Sequence, residues 1–166
     1  MDKATVSKIV GSFNAKGVKY LVVGGFAVVA YGHVRFTSDL DLIVAVDPAN
    51  LSTVIDVLES MGYRPRAPVP IRDFIDPEKR KSWACDKGMT VFSVFSAQHP
   101  ATEVDLFLEP PFDFSEAYSR SQTMEIAPGV NAVFCGLADL LKLKADAGRR
   151  TDLDDIQVLK ELHGLS

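Results

Sequence analysis

Apolar residues fall along this chain in short blocks whose period switches between helical and strand spacing. Between residues 3 and 16, Val6, Ile9, Val10 and Phe13 stand at helical spacing, and Gly17 supplies a stop signal. Val18 to Val23 predicts a buried strand ending at Gly24-Gly25, residues 26–31 a short helix, and residues 40–46 a second strand. The next helix is well punctuated: Asp47 suits the N-cap, Pro48 the first turn, Leu51, Val54, Ile55 and Leu58 form one stripe, and Gly62 ends it. Pro65, Pro68 and Pro70 mark residues 63–72 as an irregular loop carrying Arg64, Arg66 and Arg72. A phosphate contact and a solvated loop explain those arginines equally well.

Asp76-Pro77-Glu78 starts another helix, with Lys79-Arg80-Lys81 as its exposed basic face and Gly88 beyond its end. Residues 89–95 and 102–109 are strand candidates, and residues 122–127 and 130–134 flank Pro128-Gly129 as a hairpin. Two helices complete the chain. Asp139 to Ala147 forms the first, and Thr151 to Asp154 looks like a capping box for the second, which places Leu153, Ile156, Leu159 and Leu162 on one face. The order predicts an α/β (α+β) fold, a mixed β-sheet flanked by helices. We expect a single domain over residues 1–166, with a core to about residue 134 and a C-terminal helical pair at about 136–163.

Composition changes this picture little. The chain is 47% hydrophobic and 24% charged, as in ordinary globular proteins, and its net charge of −4 gives no broad electrostatic footprint for nucleic acid. Cys85 and Cys135 lack metal-ligand spacing and are expected to be reduced, buried thiols. No signal-peptide core follows Met1, and the longest apolar run is too short to span a bilayer, so the expectation is a cytoplasmic protein without membrane contact.

The chemistry is concentrated in residues 20–46. Residues i and i+2 of a strand share a face, so Asp39 and Asp41 project together and repel unless a cation or a proton intervenes. A glycine pair after a strand lets backbone N–H groups approach a ligand, and a following helix N-terminus adds positive partial charge; taken alone, Gly24-Gly25 is also a plain turn. Asp105 interrupts an apolar run, which suits a strand end, a hydrogen-bonded core acid or a ligand. His33, His99 and His163 are expected to be surface or packing residues.

Together these features resemble the nucleotidyltransferase superfamily of DNA polymerase β-like enzymes and aminoglycoside nucleotidyltransferases. The resemblance rests on Gly24-Gly25, a thirteen-residue spacer from Phe26 to Ser38, Asp39-Leu40-Asp41 and the later Asp105. The closer likeness is to the bacterial AbiEii-type branch, through Gly24-Gly25-Phe26-Ala27, through Arg35-Phe36-Thr37-Ser38-Asp39-Leu40-Asp41, and through Lys142, Lys144, Arg149, Asp152 and Asp155 near the C-terminus. Two positions depart from many characterised members of the superfamily, which carry Ser where Gly25 stands and a basic residue where Val29 stands.

The resemblance implies metal-dependent transfer of a nucleoside monophosphate from an NTP to an acceptor hydroxyl, with release of pyrophosphate. Asp39, Asp41 and Asp105 would be catalytic and would hold two Mg²⁺ ions, with Mn²⁺ as the alternative, about 3.5–4 Å apart. Gly24, Gly25, Arg35, Thr37, Ser38, Lys144 and Arg149 would contact the nucleotide. The acceptor could be a protein side chain, an RNA end or a small molecule, and a homodimer or partner protein could supply its binding surface. The alternative is a catalytically weak or inactive nucleotide-binding protein of the same fold, as in toxin–antitoxin pairs.

Overall fold

The computed structural model describes all 166 residues as seven helices around one seven-stranded sheet. Helix α1 (Lys3–Ala15) starts where the Asp2 carboxylate accepts from the Thr5 N–H at 2.8 Å, and it buries Val6, Ile9, Val10 and Phe13 as their spacing requires. Strand β1 (Tyr20–Val23) is wholly buried and passes directly into α2 (Gly24–Ala30), two residues before the sequence pattern suggested. Strand β2 (Asp39–Val44) follows, then α3 (Pro48–Ser60), capped by Asp47 and buried through Leu51, Val54, Ile55 and Leu58.

Strands β4 (Val91–Phe95) and β5 (Glu103–Phe107) come next, after α4 (Pro77–Lys87). The chain then makes a one-and-a-half-turn helix α5 (Phe114–Ser119), which the sequence pattern did not reveal, and the hairpin β6 (Gln122–Ala127) and β7 (Val130–Phe134). Helices α6 (Leu137–Ala147) and α7 (Arg150–Leu162) end it. No helix is long and apolar enough to cross a membrane.

Across the sheet the order is β3, β4, β5, β2, β1, β7, β6, where β3 is a two-residue edge strand, Arg64–Pro65, within the segment expected to be irregular. Proline at such an edge removes no interior ladder bond. Pairing is mixed: β2 runs parallel to β5 and β1 parallel to β7, while the other neighbours are antiparallel. One face is packed. Tyr20 of β1 meets Phe13 of α1, and Phe92 of β4 stacks between Phe74 and Trp83 at centroid distances of 5.2 and 5.0 Å. Such aromatic pairs add about 0.5–1.5 kcal/mol beyond the area they bury.

The opposite face of β2, β5 and β4 is different. Every second residue there (Asp39 and Asp41, Glu103, Asp105 and Phe107, Val91, Ser93 and Phe95) is only half-buried. The alternation that buries Leu40, Leu42, Val104 and Leu106 therefore presents the acids together on an open surface.

Three expectations need correction. Cys85 is exposed, and only Cys135 is buried, its thiol pushed up to about 12 by burial. Arg80 is not on a solvated face: it is buried and donates to the Phe74 and Ile75 carbonyls and to Glu109. Helix α7 starts two residues before the expected capping box, with the Asp152 carboxylate accepting from the Arg149 N–H. Its buried face is Asp152, Asp155 and Leu159, whereas Leu153 and Leu162 are each 55% exposed. An apolar stripe was the wrong guide because this helix docks through carboxylates.

Candidate active site

Register brings the acids together. β2 and β5 pair so that Asp41 faces Asp105 and Asp39 faces Glu103, and Ser93 of β4 lies on the far side of Asp105. Four carboxylates, Asp39, Asp41, Glu103 and Asp105, thus share one face within two strands. Burial, and then the charges of Asp105 and Asp39, push the Asp41 carboxyl up to about 7, against the opposing pull of Lys144 and the Gly25 N–H. Asp105 is raised as well, first by burial and then by Asp39 and Glu103, with Ser93 opposing. Its Oδ1 is fully enclosed and has no hydrogen-bond partner. A buried oxygen in that condition is costly unless a ligand satisfies it.

The glycine pair is shaped around this group. Gly24 has a φ of +65°, and a β-carbon on it would stand 2.5 Å from Asp41 Cγ. At Gly25 a β-carbon would come 2.9 Å from Thr37 Cβ. Only glycine fits between β1 and the acids at Gly24, and the same absence of side chains bares the first N–H groups of α2.

Helices α6 and α7 form the facing wall. Lys144 is buried and held by Asp152 at 2.8 Å and Asp155 at 2.9 Å. Arg35, in the loop before β2, makes a two-pronged pair with Asp155 at 2.7 and 2.9 Å, and Arg149 meets Asp152 at 2.7 Å. Burial drives the Asp152 carboxyl up, but hydrogen bonds from Arg149 and Lys144 outweigh it and hold it at about 2. Asp155 is likewise lowered overall, because Arg35 and Lys144 outweigh its burial.

Between the acids and this wall lies a cavity of about 330 Å³. Gly24, Gly25, Arg35, Thr37, Ser38, Asp39, Asp41, Asp105, Lys144 and Arg149 all line it, so the residues singled out from the sequence converge on one place. No three acidic, histidine or cysteine side chains form a ready-made cage for an ion. A magnesium site completed by substrate phosphates and water needs none.

Several neighbours had been given no role in the site. Asp152 and Asp155, matched from the sequence only as part of the C-terminal likeness, anchor the cationic wall from one face of α7. Phe36, 83% exposed, and Phe107 also line the cavity. His33 does more than pack at the surface, since its Nδ1 lies 3.2 Å from Asp155. His99 and His163 have local roles, beside Thr5 and the Tyr31 carbonyl.

No family model and no curated protein matches the chain by sequence. Its fold, however, is that of known nucleotidyltransferase structures. The lincosamide antibiotic adenylyltransferase LnuA, solved with lincomycin bound, superposes with a TM-score of 0.65 at 17% identity over 98% of both chains. A nucleotidyltransferase-like protein from Paracoccidioides brasiliensis gives 0.61 at 20% identity over 96% of this chain and 75% of that one. The antibiotic-resistance factor ANT(2'')-Ia gives 0.60 at 13% identity, over 96% and 82%. At such identities the likeness defines the nucleotidyltransferase fold.

Proposed function

We propose that this protein transfers a nucleoside monophosphate from an NTP to an acceptor hydroxyl, releasing pyrophosphate, with magnesium or manganese as the working ion. The observation that carries the reading is the pairing of Asp41 with Asp105 beside Asp39, an arrangement whose mutual repulsion a divalent cation relieves. An all-oxygen donor set suits Mg²⁺ or Mn²⁺. Asp39 and Asp41 would hold the ion that accompanies the triphosphate, and the unsatisfied Asp105 oxygen would complete a second site. When bound, the metal supplies charge stabilisation for the triphosphate and the departing pyrophosphate.

The protein's own groups do the rest. The N–H groups of Gly24 and Gly25 donate to phosphate oxygens across a surface with no β-carbons, next to the Thr37 and Ser38 hydroxyls. Lys144, Arg35 and Arg149 hold positive charge along the opposite wall. The acceptor oxygen bonds to the α-phosphorus, the bond from that phosphorus to the bridging oxygen breaks, and ionised Asp105 takes the hydroxyl proton. The neighbours' names, adenylyltransferase and nucleotidyltransferase, belong to the same reaction class. The finer likeness to the AbiEii-type branch rests on residues 24–27 and 35–41.

A second reading, nucleotide binding without turnover as in a toxin–antitoxin component, is favoured by the way Asp152 and Asp155 already neutralise the cationic wall. Calorimetry with each NTP, with and without Mg²⁺, tests both. Mg²⁺-dependent binding that Asp41→Asn abolishes is expected, with pyrophosphate release once an acceptor is supplied. Binding with no pyrophosphate for any acceptor would select the second reading. No NTP binding would sink both, and binding unaltered in Asp41→Asn would sink the transfer reading.

A further inference from the structure

The arginines of the proline-rich segment 63–72 divide into two groups. Arg72 turns to α3, where Asp56 and Glu59 hold it at 2.7 and 2.6 Å. Arg64 and Arg66 go instead to the open sheet face. Arg64 pairs with Phe95 in the β3–β4 ladder and lays its guanidinium 4.9 Å from the Phe95 ring centroid; the Arg66 guanidinium lies 4.6 Å from the same centroid. Arg66 also clasps Glu103 through two bonds of 2.9 and 2.7 Å, and its N–H donates to the Ser93 carbonyl. Ser93 faces Asp105, which faces Asp41. The cationic platform is therefore continuous with the acids, about two strand spacings, or roughly 10 Å, from Asp105.

Charge decides what this platform would receive. Glu103 neutralises one guanidinium, while Arg64 makes no ion pair and is exposed. A guanidinium seated over an aromatic ring, as Arg64 is over Phe95, can still offer its N–H groups to the planar forks of phosphate. Helices α6 and α7 wall the nucleotide side of the cavity, so the open face of β5, β4 and β3 is the remaining approach to Asp105. We infer that Arg64, Arg66 and Phe95 form the acceptor subsite of the transfer proposed above, and that the acceptor is a hydroxyl compound bearing a phosphate near the attacking oxygen. The inference rests on that transfer reading. Arg64 binds the acceptor's phosphate, Arg66 and Phe95 fix Arg64 and the acceptor's body, and Asp105 meets the hydroxyl and takes its proton as the oxygen bonds to the α-phosphorus and pyrophosphate leaves. A polycationic acceptor is repelled by Arg64, the guanidinium that Glu103 leaves unpaired.

The test uses the full chain with Mg²⁺ and a non-hydrolysable NTP, and reads binding of a short 3′-hydroxyl oligoribonucleotide and of a ribonucleoside 5′-monophosphate. These two arms separate a nucleic-acid end from a free phosphorylated molecule. A polycationic aminoglycoside is the control. At least one phosphate-bearing probe should bind more tightly than the control, and Arg64→Gln should weaken it about three- to tenfold, with Arg64→Lys retaining part of the affinity. For the oligoribonucleotide, the slope of log affinity against log salt should fall by about 1. NTP affinity should stay the same in these variants, which separates loss of the subsite from loss of the nucleotide site. Tighter binding of the aminoglycoside, no binding of either phosphate-bearing probe, or equal binding by Arg64→Gln would overturn the inference. Failure of the unsubstituted protein to bind NTP would instead overturn the transfer reading, and this one with it.

Discussion

Two charged clusters face each other across the cavity, and they are built on opposite principles. On the α6–α7 wall, Lys144, Arg35 and Arg149 meet Asp152 and Asp155 in closed pairs, and both carboxyls are held low. On the sheet, Asp39, Asp41 and Asp105 repel one another and have no cationic side chain in an ion pair, and Asp41 and Asp105 are pushed up. The wall carboxylates are buried and the sheet carboxylates half-buried, yet it is the sheet pair that is raised, so pairing and not depth sets the difference. The wall has met its own electrostatic needs and can act as scaffold, while the sheet cluster keeps an unmet demand for positive charge. Unresolved charge marks the candidate reaction centre better than the amount of charge does.

Substitutions that exchange these conditions give the sharpest contrasts. Asp41→Asn removes the central charge of the sheet cluster. We expect transfer activity to fall about 10³-fold or more, since metal and electrostatic contributions to phosphoryl transfer are of that size. The metal-free variant should nevertheless be more stable, on the order of 1–2 kcal/mol by urea denaturation, because a group raised to about 7 is strained when ionised. A variant both inactive and less stable would contradict the contrast.

Lys144→Met is the converse experiment. It removes the cation shared by two buried acids and leaves Asp152 to Arg149 and Asp155 to Arg35. Breaking one partner of a buried network typically costs about 3–5 kcal/mol, and the remaining arginines place the expected loss at about 3 kcal/mol. A loss under about 1 kcal/mol would mean that the wall is not held by its ion pairs. Gly24→Ala probes the seam between the clusters. A positive φ costs a non-glycine residue roughly 1–2 kcal/mol, and the new methyl would strike the Asp41 carboxylate. The expected destabilisation is about 2–3 kcal/mol, accompanied by weaker NTP binding; a neutral result would show that β1 and α2 can shift away from the acid.

The two clusters were not equally legible in the sequence. The glycine break, the Asp39–Asp41 alternation and the anomaly of Asp105 are local signals, and each lies where its pattern put it, on a strand end or a shared strand face. That Asp105 would face Asp41 depends on a parallel pairing across 64 residues, which no local pattern encodes. The wall was harder. Hydrophobic periodicity pointed to Leu153 and Leu162, which are exposed, because it marks only apolar buried faces, and α7 docks through Asp152 and Asp155. The Arg64–Phe95–Arg66 stack was hidden for a related reason. Three prolines announced a loop, yet the two residues of β3 suffice to carry both arginines onto the sheet face.

The smallest expected effect separates the clusters by pH. Asp41 has its folded-state value raised to about 7 from an ordinary 3.8, so the stability tied to its protonation is complete below about 4 and is lost as pH rises through 7. Asp152, held at about 2, has the opposite sign: its contribution is complete above about 4 and disappears as pH falls toward 2. Between pH 4 and 8 the sheet cluster therefore loses stability while the wall stays unchanged. Other groups titrate in that window, so the measured quantity is the stability of the metal-free protein relative to Asp41→Asn. That difference should move against the unsubstituted protein by about 1 kcal/mol or more between pH 5 and 8. Mg²⁺ selects the ionised carboxylates, so adding it at pH 8 should reverse the change in the unsubstituted protein and leave the variant less affected. A pH-independent difference would show that Asp41 is already neutralised by Lys144, and the division between a satisfied wall and an unsatisfied sheet would then collapse.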